Sequence, residues 1–198
     1  MIFRLVYPKF WQKKGLLNYF LLPFSFIFML LSFFRKLLVK QIKFPAKVIC
    51  VGNVNVGGTG KTQIVKWAAD QLAKNNKNFL VICKPYGASL KGAKLVSLDD
   101  SAELVGDEAK LLSSYARVVS AAKPKYALEI VKELKPDIII FDDGMQNPEF
   151  YKDIKLIAID ARRGLGNEMI IPAGPLRINA EKEFSAADAI IQTSSEGY

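Results

Sequence analysis

The stretch "VGNVNVGGTGKTQ", Val51 to Gln63, constrains the fold of this chain more than any other. It places four glycines, a lysine and two threonines directly after the apolar run "KVIC". A strand that empties into such a turn, with a helix behind it, is the start of an α/β unit whose backbone N–H groups can wrap an anion. Gly57–Gly60 suit that task because glycine has no side chain to obstruct close approach. The expected cradle comprises Asn55, Val56, Gly57, Gly58, Thr59, Gly60, Lys61 and Thr62. Lys61 is expected to reach the β- and γ-phosphates of a nucleotide, and Thr62 to offer its hydroxyl to Mg²⁺. The spacing departs from the usual G-x-x-x-x-G-K-[ST] at its first position, where Asn55 replaces glycine.

The rest of the chain alternates strands and helices. Thr62–Asn75 sets Ile64, Val65, Ala68, Ala69 and Leu72 at helical spacing. The runs "NFLVIC", "RVVSA", "PDIIIFDDG", "DIKLIAID" and "ADAIIQTS" read as strands. Leu104–Ala116 and the segment from Pro124 to Leu134 read as helices. Continuous apolar strands separated by helices imply a parallel sheet covered on both faces, a doubly wound, mostly parallel α/β domain of the P-loop type. Cys50 and Cys83 fall inside such runs and read as small hydrophobes rather than as metal ligands or a disulfide.

Charge and hydropathy set the N-terminus apart. Between Leu16 and Phe34 the chain is uncharged and nearly all apolar, interrupted by Asn18, Pro23 and two serines. Residues 1–47 carry nine of the 28 basic residues, Arg4 among them, and no Asp or Glu; the remaining 19 basic residues equal the 19 acidic ones. The net charge of +9 therefore belongs to the first quarter of the chain. Because these charges bracket an apolar run, they suit an anionic membrane surface, and nucleic acid is not the expected partner. About 20 apolar residues suffice to cross a bilayer, and Pro23 is expected to kink or break the helix. A cleaved signal peptide also starts basic and turns apolar. This run, however, starts late, is rich in Phe and lacks a small-x-small site before "RKLLVK". A buried core helix fits poorly with aromatics all round and basic residues on both flanks. The expected organisation is an uncleaved anchor over residues 1–44, spanning or partly embedded, followed by a P-loop domain over 45–198.

Three further segments bear chemistry. "IIIFDD" is an apolar strand closing on Asp142 and Asp143, carboxylates suited to holding Mg²⁺ directly or through water. "VGDEA" opens a helix with Asp107 and Glu108. Acidic residues there often only compensate the helix dipole; the alternative is a base for an attacking hydroxyl, or a group that helps position metal. "ARRGLGNEMIIPAGPLR" brings Arg162, Arg163 and Arg177, which suit anionic oxygens.

Together, "VGNVNVGGTGKT", "VGDEA", "DDGMQ" and "RRGLGN…PAGPLR" resemble the tetraacyldisaccharide 4′-kinases, the inner-membrane lipid A 4′-kinases of Gram-negative bacteria, over nearly the whole chain. The resemblance implies transfer of the ATP γ-phosphate to the 4′-hydroxyl of an acylated glucosamine disaccharide 1-phosphate, giving lipid IVA. It implies Asp107 as the acid that activates the sugar hydroxyl and Lys61 on the phosphates. Thr62, Glu108, Asp142 and Asp143 would lie around Mg²⁺. The lipid acceptor would account for the anchor, and the need for ATP would place the domain on the cytoplasmic side of the inner membrane.

The chain departs from the family pattern in places. Where the family reads Ser-Arg-Gly-Tyr-Gly this chain has "CKPYG", with Lys84 and Pro85 replacing arginine and glycine. Asn147 stands where histidine is usual after "DDGMQ", and Ile178 where glutamate follows "PLR". Members continue into a second lobe that supplies a histidine. This chain contains no histidine, so it is expected to be shortened at its C-terminus, with a separate chain as a possible source of that lobe. Two other readings stay open at this point. One is a remnant that binds ATP without efficient transfer. The other is a membrane-associated P-loop ATPase of another class, although partitioning and targeting ATPases commonly carry a lysine where this chain has Val56.

Overall fold

Strand β1 (Lys47–Asn53) delivers the chain into the glycine-rich turn, and helix α2 (Lys61–Lys74) leaves it. The computed structural model describes residues 7–193; Arg4 of the basic flank and Ser194, the end of the last predicted strand, lie outside the described residues. Seven strands follow the order β3-β4-β2-β5-β1-β6-β7, where β2 is Phe79–Cys83, β3 Ala93–Leu95, β4 Val118–Ala121, β5 Ile138–Asp142, β6 Ile154–Asp160 and β7 Ala189–Thr193. β1 with β5, β2 with β5 and β2 with β4 are parallel, whereas β3 joins β4 antiparallel at the edge. This is the mostly parallel α/β sheet that the apolar runs predict.

Helix boundaries follow local chemistry. The helix predicted over Leu104–Ala116 is two short ones, α3 (Ala102–Val105) and α4 (Asp107–Leu112). Gly106 divides them with a φ of 94°, and a Cβ there would lie 3.2 Å from the Pro85 Cα. The segment from Pro124 begins as a 3₁₀ turn, with proline in its first turn, and becomes α5 (Leu128–Leu134). Two short elements without a clear apolar period, β3 and α6 (Ala180–Ser185), are not evident from sequence pattern.

The contacts divide the chain into two compact units. The first joins Lys40–Gly52 to Lys61–Leu156. Its core contains Val48, Leu80, Ile139, Val131 and three phenylalanines. Phe141 and Phe150 stack with ring centroids 4.0 Å apart, and Phe44 sits 5.4 Å from Phe141. Such a cluster combines large apolar burial with favourable ring geometry. Cys50 and Cys83 are free and buried in this unit, and burial pushes the Cys50 thiol up to about 12.

The second unit holds the N-terminal stretch through Val39, the turn Asn53–Gly60 and the chain from Ile157 onward. Its main element is α1 (Leu16–Leu38), long and apolar enough to cross a membrane by length and composition. Pro23 lies inside this helix without ending it, so of the expected kink or break the break does not occur. Proline costs one backbone bond there, and the remaining turns carry the helix through. Most large side chains of α1 are exposed, including Leu16 at 91% and Phe20 at 72%, whereas Asn18 and Ser25 are buried. The pattern inverts that of a soluble core helix.

In the first unit, Gly52 ends β1 against the turn after β5. A Cβ at Gly52 would lie 2.4 Å from the Met145 Cβ and 3.3 Å from the Met145 backbone nitrogen. Gly52→Ala is expected to destabilise the protein by about 2 kcal/mol through overpacking. Gly92→Ala, where a Cβ meets nothing within 4 Å, should stay within about 0.5 kcal/mol of wild type. Urea unfolding of both variants in detergent reads the difference.

Candidate active site

The chemistry-bearing residues fall into two sets, one in each unit. In the first unit, Asp142 ends β5 and pairs in register with Val51 of β1. Asp143 follows with a φ of 55°, a left-handed conformation that Asp tolerates better than most residues, and its N–H donates to the Val51 carbonyl at 3.0 Å. The turn brings Asp143 Oδ1 to 3.7 Å from the Nζ of Lys61, the first residue of α2, and both side chains are about nine-tenths buried. Tyr86 Oη reaches the other Asp143 oxygen at 3.4 Å, with the Lys84 ammonium 5.0 Å from the Tyr86 ring centre.

Gly106 lets α4 begin sharply, so that Asp107 and Glu108 form its first turn, Asp107 exposed and Glu108 half-buried. Burial raises the Glu108 carboxyl above its ordinary range; Lys61 opposes that shift, while Asp143 and Asp107 add to it. Asp142 is only 4% exposed, and burial, reinforced by Glu108, pushes it up to about 7 against the pull of Lys61. Neither Asp142 oxygen has a hydrogen-bond partner among the described residues. One buried ammonium thus faces several carboxylates, and the excess negative charge is what a divalent cation would relieve. Among the described residues no three His, Cys, Asp or Glu side chains converge into a metal cage. Mg²⁺ ordinarily takes only one or two carboxylates and completes its shell with phosphate oxygens and water, so the residues present fit such an ion.

In the second unit the turn itself is shaped. Gly57 and Gly60 have φ of 104° and 73°, conformations that side-chain-bearing residues rarely adopt. Asn53 Nδ2 donates to the Gly57 carbonyl at 3.2 Å, and Asn55 Nδ2 to the Gly164 carbonyl at 2.6 Å. Asn55, at the departed glycine position, is therefore a brace for the turn. The Arg163 guanidinium comes within 3.6 Å of where a Gly57 Cβ would stand. Thr193 Oγ1 donates to the Thr59 carbonyl at 2.9 Å. Arg162 is exposed, its backbone N–H donating to Asp160 Oδ1 at 2.8 Å. The Arg177 N–H donates to the Val54 carbonyl at 2.8 Å.

The sequence pattern of one family, LpxK, tetraacyldisaccharide-1-P 4′-kinase, matches residues 17–197. The chain belongs to this family. The tetraacyldisaccharide 4′-kinase of Rickettsia akari is 47% identical over 192 residues, 97% of this chain and 59% of the relative. That of Rickettsia bellii is 46% identical over 187 residues, 94% of this chain and 58% of the relative. A crystal structure of LpxK from Aquifex aeolicus in complex with ATP superposes with a TM-score of 0.78 at 34% identity, covering 91% of this chain and 60% of that one. The chain thus spans about three fifths of the length of these kinases.

The first unit brings together Lys61, Glu108, Asp142 and Asp143, with Asp107 on the same short helix as Glu108. Thr62 follows Lys61 in the first turn of α2. Sequence reasoning missed Tyr86 as a partner of Asp143 and Thr193 as a brace of the turn. The "PYG" segment held the only signal for Tyr86, and nothing local pointed to Thr193.

The Asp142 shift carries a sign. A carboxyl raised from 3.8 to about 7 on folding contributes stability below its unfolded value and loses it as pH rises through 7. Asp142→Asn removes that loss. Without Mg²⁺, the variant should match wild type near pH 4 and become more stable toward pH 8, at a slope of at most about 1.4 kcal/mol per pH unit in the window. Urea unfolding at several pH values measures the gap; a gap that closes as pH rises would contradict the assignment.

Proposed function

We propose that this chain transfers the γ-phosphate of ATP to the 4′-hydroxyl of a tetraacyldisaccharide 1-phosphate, forming lipid IVA. The observation that carries the reading is the buried pairing of Lys61 with Asp143 beside two further carboxylates of raised pKa, in a chain of this kinase family. Phosphoryl transfer asks the protein mainly for positioning and charge neutralisation. Asn55–Thr62 would cradle the nucleotide, with Lys61 on the β- and γ-phosphates. Asp107, exposed and therefore reachable by a substrate hydroxyl, accepts the proton as the sugar oxygen bonds to phosphorus and ADP departs. Mg²⁺, when bound, would be held among Thr62, Glu108, Asp142 and Asp143 and would neutralise phosphate charge. Deprotonating Asp142 is part of taking up that ion. Arg163 is suited to anionic oxygens at the turn.

The membrane reading rests on α1. Asn18 and Ser25 are buried against carbonyls of the same unit. Beyond Ser25 the helix continues over Phe26–Leu38, about 20 Å at about 1.5 Å per residue, short of the roughly 30 Å of hydrocarbon. This favours a helix embedded in one leaflet of the inner membrane over one that spans it. Arg35 and Lys36 in its last turn suit anionic headgroups on the cytoplasmic side. At such a surface the enzyme meets its lipid acceptor at high local concentration.

The test supplies γ-labelled ATP, Mg²⁺ and the disaccharide 1-phosphate to the purified chain in detergent. It is run alone and with the C-terminal part of the Rickettsia akari relative added as a separate chain. Label should appear on the lipid. Asp107→Ala should lower it at least about 100-fold while leaving nucleotide binding intact, and Lys61→Ala should weaken nucleotide binding itself. Hydrolysis of ATP without lipid label would replace the kinase reading with that of an ATPase. Nucleotide binding without either activity would mark a chain that binds ATP but does not transfer it.

A further inference from the structure

Helix α1 carries two polar side chains that a lipid anchor does not need. Asn18 and Ser25 are 1% and 3% exposed in a helix whose other large side chains are mostly open. They stand seven residues apart, two turns, and so share one face. Every polar atom of the Asn18 amide is used. Nδ2 donates to the Phe10 carbonyl at 2.8 Å and to the Ala173 carbonyl at 2.7 Å, and Oδ1 accepts from the Gly15 N–H at 2.8 Å. Ser25 Oγ donates to the Ile170 carbonyl at 2.7 Å and accepts from the Ala173 N–H at 3.2 Å. A buried amide or hydroxyl is costly unless satisfied in this way. Apolar residues at both positions would serve lipid binding better, so the pair serves the protein side.

What they hold is the turn that braces the nucleotide loop. Asn167 closes that turn from inside, donating from Nδ2 to the Ala173 carbonyl at 3.0 Å and accepting the Met169 N–H at 3.1 Å. Gly174 is compulsory there, because a Cβ would stand 2.1 Å from Asn167 Oδ1. The turn then grips the loop with backbone bonds. The Val56 N–H donates to the Pro175 carbonyl, and the Arg177 N–H to the Val54 carbonyl, both at 2.8 Å, while Asn55 bridges Leu176. All these residues lie in one unit. A continuous set of hydrogen bonds therefore runs from the anchor helix to Val54–Val56, the residues that enter the glycine turn.

We infer that Asn18 and Ser25 are positioning residues of the nucleotide cradle, and that the anchor helix is a structural part of it rather than only a tether. Seating of α1 on the turn at 170–174 and order of the loop are thereby coupled. The nucleotide half of this inference rests on the function proposed above; the coupling half does not.

The test uses the full chain in lipid nanodiscs, with Asn18→Leu, Ser25→Ala and the hydroxyl-preserving Ser25→Thr. Amide hydrogen exchange without nucleotide is read at Val56 and Arg177, and the dissociation constant of a fluorescent ATP analogue is read alongside it. Asn18→Leu should speed exchange at both amides and weaken the analogue about tenfold, the loss expected when buried hydrogen-bond partners are left unmet. Ser25→Ala should act in the same direction but less, and Ser25→Thr should restore wild-type behaviour. Vesicle flotation should be unchanged, because the first two substitutions make the helix more apolar. Unchanged exchange at Val56 and Arg177 in both Asn18→Leu and Ser25→Ala would overturn the inference, as would a loss of analogue binding that only follows a loss of flotation. If Asn18→Leu does not fold, the two Ser25 variants decide. If wild type binds no analogue, the proposed function fails and the exchange measurement alone decides the coupling.

Discussion

The parallel pairing of β1 with β5 is the constraint on which the chemistry depends. It sets Val51 opposite Asp142 and gives Asp143 a backbone bond to Val51. The carboxylates thus sit beside the strand that feeds the glycine turn. Parallel strands of apolar, largely β-branched residues are stable only when both faces are covered, and the cluster of Phe44, Phe141 and Phe150 supplies part of that cover in the first unit. The left-handed backbone of Asp143 and the close packing at Gly52 follow from ending two strands at one place. Tight geometry there holds an ion pair that would otherwise be lost to solvent.

That ion pair is held at a cost. Burying Asp142 and Glu108 among neighbouring carboxylates lifts both out of their ordinary range, against the opposing pull of Lys61. A core replaced by apolar residues would be more stable. Perturbed carboxyls retained at the end of a core strand fit the proposed function, in which a cation and a polyphosphate would supply the partners these groups lack.

Much of this was legible in the sequence, for physical reasons. Long apolar runs have few alternatives to buried parallel strands, and clustered glycines between a strand and a helix mark a tight turn. Asp142 and Asp143 were readable because two carboxylates at the end of such a run cannot be core. The three-residue strand β3 was not readable, because an edge strand that short leaves no period. The helix over Leu104–Ala116 was overextended because Gly106 looks like a tolerable helix residue until Pro85 is seen pressing on it. Tyr86 and Thr193 act through partners 57 and 134 residues away, contacts that no local pattern encodes.

Asn18 and Ser25 show a subtler limit. In sequence they read as interruptions in an apolar run, the kind of imperfection a membrane segment tolerates. Their spacing of two turns already said that they share a face, but only the carbonyls of Ile170 and Ala173 show that the face has an occupant. A polar residue in an apolar helix is expensive wherever it lacks a partner, and the expense is the same in lipid as in a protein core. The two residues therefore fix which side of α1 faces protein. The exposed aromatics and leucines stay on the other sides of the helix. The rotation of the helix about its own axis is thus set by two hydrogen-bonding side chains rather than by its hydropathy.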